Sequence, residues 1–488
     1  MAIETELKLV LEPEAAAFLE ASSLLAGPAR TVSQKAIYFD TAGHALRSNG
    51  LSLRIRRTGR KRVQTVKALN GSAAGLFARA EWEMPVASDE PVIDEGGPLS
   101  ALLEKLEKKD LTVSPIFEVQ VERRIWNLGA GQSEIELALD RGAAKAAGRQ
   151  SGICEIELEL RSGDPSALFS LARAFDAIAP VRLGILTKAE RGYGLLGRAS
   201  FARKAEPLTL EAGITTAEAF RRIASSCLGQ YRLNEALLFE AWHTDALHQA
   251  RVALRRLRSA FTVFKPLLVG DGRAGDFKLA LRNLSNVLGE ARNLDVLSEK
   301  GSDMAIQQRI DLARERAYTI VKEELASARI RALMLDLAEW LAHGDWTRAQ
   351  SLSGIRDGRC RDFARSALAR LRKRIGKHGR KLKSGTDEER HDVRKDAKKL
   401  RYASEFFDSL FDAPKRKRRH AKFIDALEKL QDQLGALNDR ATARELIASL
   451  GLDEKETVAL LGTARRGKLL DRADAAWKEL VDLKPFWH

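Results

Sequence analysis

The chain has 488 residues and a mass of 54.0 kDa, which leaves room for two or three domains at about 100–200 residues per domain. Its hydrophobic fraction of 44% and charged fraction of 31% exclude a fibrous or broadly disordered protein. The net charge of +15 lies wholly beyond residue 200, because residues 1–200 hold 26 basic and 26 acidic side chains. We therefore expect a neutral module followed by a basic module, with surfaces that meet different partners.

Targeting and redox features also narrow the class of protein. The sequence contains no run of about 18 apolar residues, so we expect no membrane span. Its first residues lack the basic segment and apolar stretch of a secretory signal. Cys154, Cys227 and Cys360 are far apart and odd in number, which favours a reducing cytosol over a zinc or disulfide framework. We expect a cytoplasmic protein.

Short segments with period-two alternation dominate the first 200 residues and predict β-strands. They lie near 2–10, 35–41, 51–57, 62–69, 79–86, 116–127, 133–140, 153–161 and 181–188. Helices are predicted near 13–25, 98–108 and 165–178. Eight or nine mostly antiparallel strands in one domain indicate a closed barrel.

Long amphipathic stretches replace the strands after about residue 215 and predict helices. They occupy 216–240, 244–266, 276–298, 303–326, 329–343, 360–382, 388–410, 416–436, 439–449 and 455–480. The segment 201–214 is the predicted linker. The expected fold is therefore an α+β barrel domain over 1–200, followed by an all-α helical bundle over 215–488.

Two similar motifs occur within the helical part, at an offset of 143 residues. In each motif a histidine and three cations fall at i, i+3, i+7 and i+10, which is one helix face. The two stripes are His248, Arg251, Arg255 and Arg258, and His391, Arg394, Lys398 and Arg401. Two half-units related by pseudo-twofold symmetry would bring the stripes together as a channel for a linear polyanion. Solvated basic faces are the alternative interpretation.

Charged residues occupy one face of several predicted strands, since side chains i and i+2 point the same way. The sets are Glu4, Glu6 and Lys8; Arg54 and Arg56; Arg79, Glu81 and Glu83; Glu134, Glu136 and Asp140; and Glu155, Glu157 and Glu159. A charged side in water would explain one strand, whereas recurrence on five strands favours a charged barrel lumen. Carboxylates that hold Mg²⁺ or Mn²⁺, beside cations that bind phosphate oxygens, suit a polyanionic substrate.

Several short motifs follow one another along the first 198 residues. They are Glu4-x-Glu6-x-Lys8, Tyr38-Phe39-Asp40-Thr41, Leu53-Arg54-Ile55-Arg56, Lys67, Arg79-x-Glu81, Arg123, Glu134-Ile-Glu136-Leu-Ala-Leu-Asp140-x-Gly142, Glu155-x-Glu157-x-Glu159 and Thr187-Lys188-Ala-Glu-Arg191-Gly192-Tyr193. Over nearly all of residues 1–198 they resemble the CYTH superfamily, the triphosphate tunnel metalloenzymes, and most closely its bacterial inorganic triphosphatases. The resemblance implies an eight-stranded tunnel and metal-dependent hydrolysis of triphosphate to diphosphate and phosphate.

The same resemblance implies roles for single residues. The catalytic residues would be Glu4, Glu6 and Lys8. Triphosphate would be bound by Lys8, Arg54, Arg56, Lys67, Arg79, Arg123 and Lys188. Mg²⁺ or Mn²⁺ would be held by Glu4, Glu6, Asp140, Glu155, Glu157 and Glu159, with the choice among the last three left open. Thiamine or nucleoside triphosphatase, adenylate cyclase and a non-enzymatic polyphosphate sensor are the alternative functions.

The two histidine motifs are similar to those of CHAD, the conserved-histidine α-helical domain, over about 215–488. That resemblance implies that the two stripes bind inorganic polyphosphate, with the histidines as hydrogen-bond donors. Nucleic acid is a less favoured partner, because no helix-turn-helix is evident and aromatic residues make up 6% of the chain. The sequence leaves open the oligomeric state and whether this domain delivers substrate, attaches the protein to polyphosphate granules or mediates dimerisation.

Overall fold

The computed structural model describes residues 2–68, 72–73, 75–93, 96–106, 112–197, 202–300, 303–452, 456–457 and 466–488, with backbone alone at 2–4, 72–73, 77–79, 438 and 440–441. The chain forms two compact units. The first contains Met1–Phe201 and Ala326–His343, and the second contains Ala202–Leu325 and Gly344–His488. A segment from the later part of the chain thus belongs to the first unit.

Within the described residues, ten antiparallel strands form one sheet in the first unit. The strands are β1 (Ala2–Val10), β2 (Arg30–Asp40), β3 (Leu51–Thr58), β4 (Lys61–Ala68), β5 (Ser72–Ala73), β6 (Leu76–Pro85), β7 (Ser114–Ala130), β8 (Ser133–Ala146), β9 (Arg149–Ser162) and β10 (Arg182–Leu183). Their order is β10-β1-β9-β8-β7-β2-β3-β4-β6-β5.

The first strand makes two pairings along its length. Its part from Ala2 to Leu7 pairs with β6, and its part from Glu6 to Val10 pairs with β9. The predicted closed barrel of eight strands is therefore corrected to an open order of ten strands, in which β1 and β6, each next to an end strand, also pair with each other. The additional strands β5 and β10 have two residues each, which is too short for alternation to reveal them.

Fifteen helices are distinct in the described residues, apart from 3₁₀ turns. They are α1 (Pro13–Glu20), α2 (Ala45–Ser48), α3 (Pro98–Lys105), α4 (Ser166–Ile178), α5 (Lys188–Leu196), α6 (Thr216–Glu240), α7 (Thr244–Val263), α8 (Gly272–Ser298), α9 (Met304–Ala326), α10 (Ala328–His343), α11 (Ser353–Arg356), α12 (Cys360–His378), α13 (Asp387–Phe406), α14 (Pro414–Ser449) and α15 (Arg466–Asp482). None of those in the described ranges is long and apolar enough to cross a membrane.

The apolar face of the sheet packs against helices. Leu137 and Ile156 belong to one core cluster with Phe169 of α4 and Leu335 of α10. Burying these side chains removes apolar surface from water, at about 25 cal/mol per Å². Because strand side chains alternate, this burial leaves the charged residues of the same strands on the opposite face.

Two predicted boundaries are wrong. The strand predicted over 181–188 is a two-residue strand followed by α5, because Thr187 and Glu190 form a capping box that starts a helix at Lys188. The helices predicted over 416–436 and 439–449 are one helix, α14. Gly435 lies inside this helix without ending it, because a glycine in a helix interior costs far less stability than a proline does.

The second unit arranges its helices in two similar series. Helix α7 packs between α6 and α8, and α13 packs between α12 and α14. Both α7 and α13 have 20 residues, and they pack against each other. Each histidine motif thus lies on the middle helix of its series, and the internal repeat itself stays a prediction.

Candidate functional site

A cavity of about 740 Å³ is lined by residues of β1–β4 and β6–β9 and by Thr187–Ala189. It is lined by the predicted site residues Glu6, Lys8, Arg54, Arg56, Lys67, Arg123, Glu157, Glu159 and Lys188. The predicted residues Asp140 and Glu155 are fully buried behind it. The side chains of Glu4 and Arg79 lie outside the described residues.

Two buried lysines bind a group of carboxylates at the cavity wall. Lys188 Nζ lies 2.7 Å from Asp140 Oδ2, 2.6 Å from Glu155 Oε1 and 2.8 Å from Glu157 Oε1. Lys8 Nζ lies 2.8 Å from the same two glutamate oxygens. These charges are therefore compensated by one another rather than by water.

Arg123 completes the group from β7. It donates to Asp140 Oδ1 and Oδ2 at 2.7 and 2.6 Å and to Glu157 Oε2 at 2.5 Å. Asp140, Glu155 and Glu157 each offer one oxygen within 4.8 Å of the others, the spacing of a possible metal site. We call these three carboxylates, with Lys8, Arg123 and Lys188, the buried charge cluster.

Strong coupling keeps the buried charge cluster ionised. Burial alone would raise the pKa of Glu155, but attraction by Lys188 and Lys8 lowers it to about 2. The pKa of Glu157 is also held well below its usual range, since the same lysines outweigh burial. Burial would lower the pKa of Lys188, but the neighbouring carboxylates raise it well above its usual value. The cluster therefore presents fixed charges at neutral pH.

Three cations on a second wall of the cavity contact fewer carboxylates than Lys8 and Lys188 do. Lys67 Nζ lies 2.6 Å from Glu81 Oε2, and an Arg54 nitrogen lies 3.9 Å from Glu81 Oε1. Arg56 bonds to Glu83 at 3.2 Å. All three cations line the cavity and are 15–25% exposed, so they can reach an anion inside it. The carboxylates orient them, which leaves further donors for phosphate oxygens.

Three glutamates form a row across neighbouring strands. Glu159 on β9 pairs in register with Glu6 on β1 and with Glu136 on β8, and all three line the cavity. Arg161, which the sequence interpretation missed, bonds to Glu136 at 3.0 Å and also to Glu159. The signal for Arg161 was present, because it continues the alternation of Glu155, Glu157 and Glu159 by one more step. We call Glu6, Glu159 and Glu136 the glutamate row.

Two sets of carboxylates offer oxygen donors to a divalent cation. In the buried charge cluster, the ammonium groups of Lys8 and Lys188 already contact the oxygens that a metal would need. In the glutamate row, Glu6 and Glu159 face the cavity with oxygen donors of the kind that Mg²⁺ and Mn²⁺ prefer. Cations contact carboxylate oxygens in both sets, since Arg161 bonds to Glu159 and Glu136. Both sets offer the oxygen donors that a divalent cation needs.

Four cations from the two stripes of the second unit lie close together. The pKa of Lys398 is lowered to about 7. Burial is the largest cause, and repulsion from Arg255 and Arg394 adds to it. The pKa of Arg251 is lowered to about 10, mainly by burial and also by repulsion from Arg255 and Arg292. All four side chains are half-buried, so burial and mutual repulsion both act on their charges. We call Arg251, Arg255, Arg394 and Lys398 the basic cluster.

Two members of the basic cluster lie beside a glycine of the helix that follows. Arg251 donates to the carbonyl of Gly289 at 3.2 Å. Arg394 lies beside Gly435, where an added Cβ would be 3.8 Å from its guanidinium, and bonds to Asp439 at 3.3 Å. A glycine of α8 and one of α14 thus lie beside the arginine of the preceding helix.

The other predicted stripe residues have different surroundings. His248 is half-buried, and burial and neighbouring arginines lower its pKa. Burial and nearby arginines also lower the pKa of Arg258. His391 is exposed. Arg401 forms ion pairs with Glu428 at 3.2 Å and with Glu405, so the second stripe is partly neutralised at its end.

Comparison with known families agrees with this architecture. The CYTH domain model matches residues 2–193, and the CHAD domain model matches residues 222–448. The chain therefore contains a match to a CYTH domain followed by a match to a CHAD domain.

Two curated relatives illustrate the range of similarity. An inorganic triphosphatase of Haemophilus influenzae is 32% identical over 168 residues, which are 34% of this chain and 46% of that protein. An uncharacterized protein of Mycobacterium tuberculosis is 28% identical over 414 residues, which are 76% of this chain and 75% of that protein. The chain thus spans less than half the length of the similar triphosphatase.

Solved structures similar to each part are also known. The CHAD domain of the plant Ricinus communis is 27% identical, with a TM-score of 0.48, and the match covers 58% of this chain and 97% of that one. A putative adenylyl cyclase from Hippeastrum, described as having a dominant triphosphatase activity, is 20% identical with a TM-score of 0.30. That match covers 39% of this chain and 96% of the other.

Proposed function

We propose that the CYTH domain hydrolyses inorganic triphosphate to diphosphate and phosphate with Mg²⁺ or Mn²⁺, and that the CHAD domain binds inorganic polyphosphate. The observation that carries the first part is the cavity, whose walls combine phosphate-binding cations with carboxylates. The similar triphosphatase of Haemophilus influenzae supports the choice of substrate class.

The cavity residues suit phosphoryl transfer without a protein nucleophile. Catalysis of this kind depends mainly on positioning and on stabilisation of charge. Arg54, Arg56 and Lys67 would bind the phosphate oxygens, because they line the cavity and keep donors available. Lys8 and Lys188 would add fixed positive charge that needs no reorganisation, since carboxylates already hold their ammonium groups in place.

The metal would be held by the glutamate row. Glu6 and Glu159 would provide its oxygen ligands, with Glu136 beside them. Bound there, Mg²⁺ or Mn²⁺ would neutralise phosphate oxygens and lower the pKa of the attacking water. The carboxylates of the buried charge cluster would instead orient Lys8, Arg123 and Lys188.

Substrate choice can be tested with the full-length protein. We expect phosphate release from inorganic triphosphate to exceed that from ATP and thiamine triphosphate, and EDTA to abolish it. Phosphate release and cyclic AMP formation should be measured for each substrate with Mg²⁺, with Mn²⁺ and with EDTA. Undiminished activity in EDTA would contradict the metal, and cyclic AMP as the main product from ATP would favour a cyclase.

The basic cluster carries the second part of the proposal. Like charges in a partly buried position repel each other, and an incoming polyanion would relieve that repulsion. The Nε atoms of Arg255 and Arg394 are buried and have no hydrogen-bond partner among the described residues. These features support an anion ligand, and a phosphate chain offers oxygens along its whole length to the four cations.

Polyphosphate binding should take up protons near pH 7. Lys398 is partly neutral there because its pKa is about 7, and a bound polyanion would raise that pKa. Affinity should therefore fall as the pH rises from 6 to 8, and calorimetry in two buffers of different ionisation enthalpy should show proton uptake. Lys398→Met should reduce the uptake and leave the share of His248, whose pKa is also lowered. Equal uptake in that variant, or stronger binding of DNA at matched salt, would contradict this assignment.

A further inference from the structure

Arg161 lies at the end of β9 beside the glutamate row. Its side chain lines the cavity and is 48% exposed. It points to the same side of the strand as Glu159, two residues earlier, and bonds to that carboxylate. A second bond of 3.0 Å reaches Glu136 on β8. One guanidinium therefore joins two members of the row.

The need for such a cation follows from the register of the strands. Like charges directly opposite each other on neighbouring strands destabilise a sheet. Glu159 has a glutamate opposite it on both sides, Glu6 on β1 and Glu136 on β8. A cation beside the row relieves this repulsion, and Arg161 contacts two of its three members.

We propose that Arg161 is a positioning residue that competes with the divalent metal for Glu159 and Glu136. This inference rests on the proposed function, because it takes the glutamate row as the metal site. A metal that binds Glu159 must displace the guanidinium, and the phosphate oxygens of triphosphate can then accept its donors. Metal and substrate would consequently bind with positive coupling, each making room for the other.

A purely structural role for Arg161 predicts something different. A half-exposed ion pair contributes little to stability, so truncation would leave the fold and the metal affinity unchanged. Competition instead predicts that truncation strengthens metal binding in the absence of substrate. It also predicts weaker coupling between the metal and the triphosphate, because the displaced guanidinium no longer exists.

The test is Mn²⁺ titration of the full-length protein followed by electron paramagnetic resonance. It compares the unsubstituted protein, Arg161→Ala and Arg161→Gln, with and without a non-hydrolysable triphosphate analogue. We expect both variants to bind Mn²⁺ about tenfold more tightly without the analogue. The factor by which the analogue tightens Mn²⁺ binding should be smaller in both variants than in the unsubstituted protein. Arg56→Ala, which removes a cavity cation bonded to Glu83 instead, should have a clearly smaller effect without the analogue.

Unchanged or weaker Mn²⁺ binding in both Arg161 variants would overturn the proposal, as would an equal effect of Arg56→Ala. The double substitution Glu6→Gln and Glu159→Gln separates this failure from that of the metal site. If the double variant loses Mn²⁺ while the Arg161 variants behave like the unsubstituted protein, the site stands and the competition is wrong. If the double variant binds Mn²⁺ normally, the metal site of the proposed function is itself wrong.

Discussion

Glu6→Gln should lower kcat for triphosphate hydrolysis by about 10²–10³-fold, the loss seen when one preorganised charge is removed from an active site. Glu6 lines the cavity, is 9% exposed and stands opposite Glu159 across the β1–β9 pairing. Glutamine keeps the shape of the side chain but removes the charge that a divalent cation needs. The temperature of unfolding should stay the same, because the substitution removes one of several mutually repelling carboxylates.

Glu118→Gln is the matched control for this prediction. Glu118 is also a strand glutamate, but it is 40% exposed and forms an ion pair with Lys35 outside the cavity lining. Steady-state kinetics over a range of Mg²⁺ and Mn²⁺ concentrations, with thermal unfolding of each variant, make the comparison. Full activity of Glu6→Gln, or an equal loss in Glu118→Gln, would remove Glu6 from the catalytic machinery.

Lys188→Met should destabilise the CYTH domain by about 3–5 kcal/mol, the usual cost of leaving buried charges without a partner. Lys188 is 8% exposed, and its ammonium contacts three carboxylates at 2.6–2.8 Å. Methionine fills a similar volume but compensates none of that charge. The loss in the free energy of unfolding is measured by urea unfolding. Hydrogen exchange of peptides from β9 makes this measurement report on the CYTH domain. Lys35→Met, at a 49% exposed lysine, should change it little.

The pH dependence of this loss gives a second test. In the unsubstituted protein the lowered pKa of Glu155 contributes stability above its usual value of 4.5, and this contribution is lost as the pH falls towards 2. Without Lys188, less positive charge offsets the effect of burial, so the pKa of Glu155 rises in the folded variant. The folded variant then gains this proton at a higher pH than the unsubstituted protein does, so the stability difference between the two proteins should narrow as the pH falls. A constant difference would show that Glu155 is not coupled to Lys188.

Sequence alternation went far in predicting the cavity. Glu6 and Lys8, Arg54 and Arg56, and Glu157 and Glu159 alternate with aliphatic residues, and a strand can bury only one of its faces in a helix-covered core. Since each of these side chains lines the cavity, period-two patterning sufficed to select them. The same reasoning would have selected Arg161 if the β9 pattern had been followed one step further.

Helical spacing went equally far in the second unit. The stripes headed by His248 and His391 were placed on helix faces by a period of 3.6 residues, and they lie on α7 and α13. Which stripe members meet was beyond the sequence, because that depends on how the two helices pack. Arg255 lies near Lys398, which holds the same position in the other motif, whereas Arg401 pairs with Glu428.

The sequence by itself determined which side chains carry charge, which strand or helix face presents them and which families they resemble, because these properties are local and periodic. Only the tertiary structure decided their partners. It placed Lys188 at the start of a helix against three carboxylates from β8 and β9, and it aligned Glu6, Glu159 and Glu136 across three strands. Strand register and helix packing join residues that are far apart in the chain, and no local pattern encodes those distances.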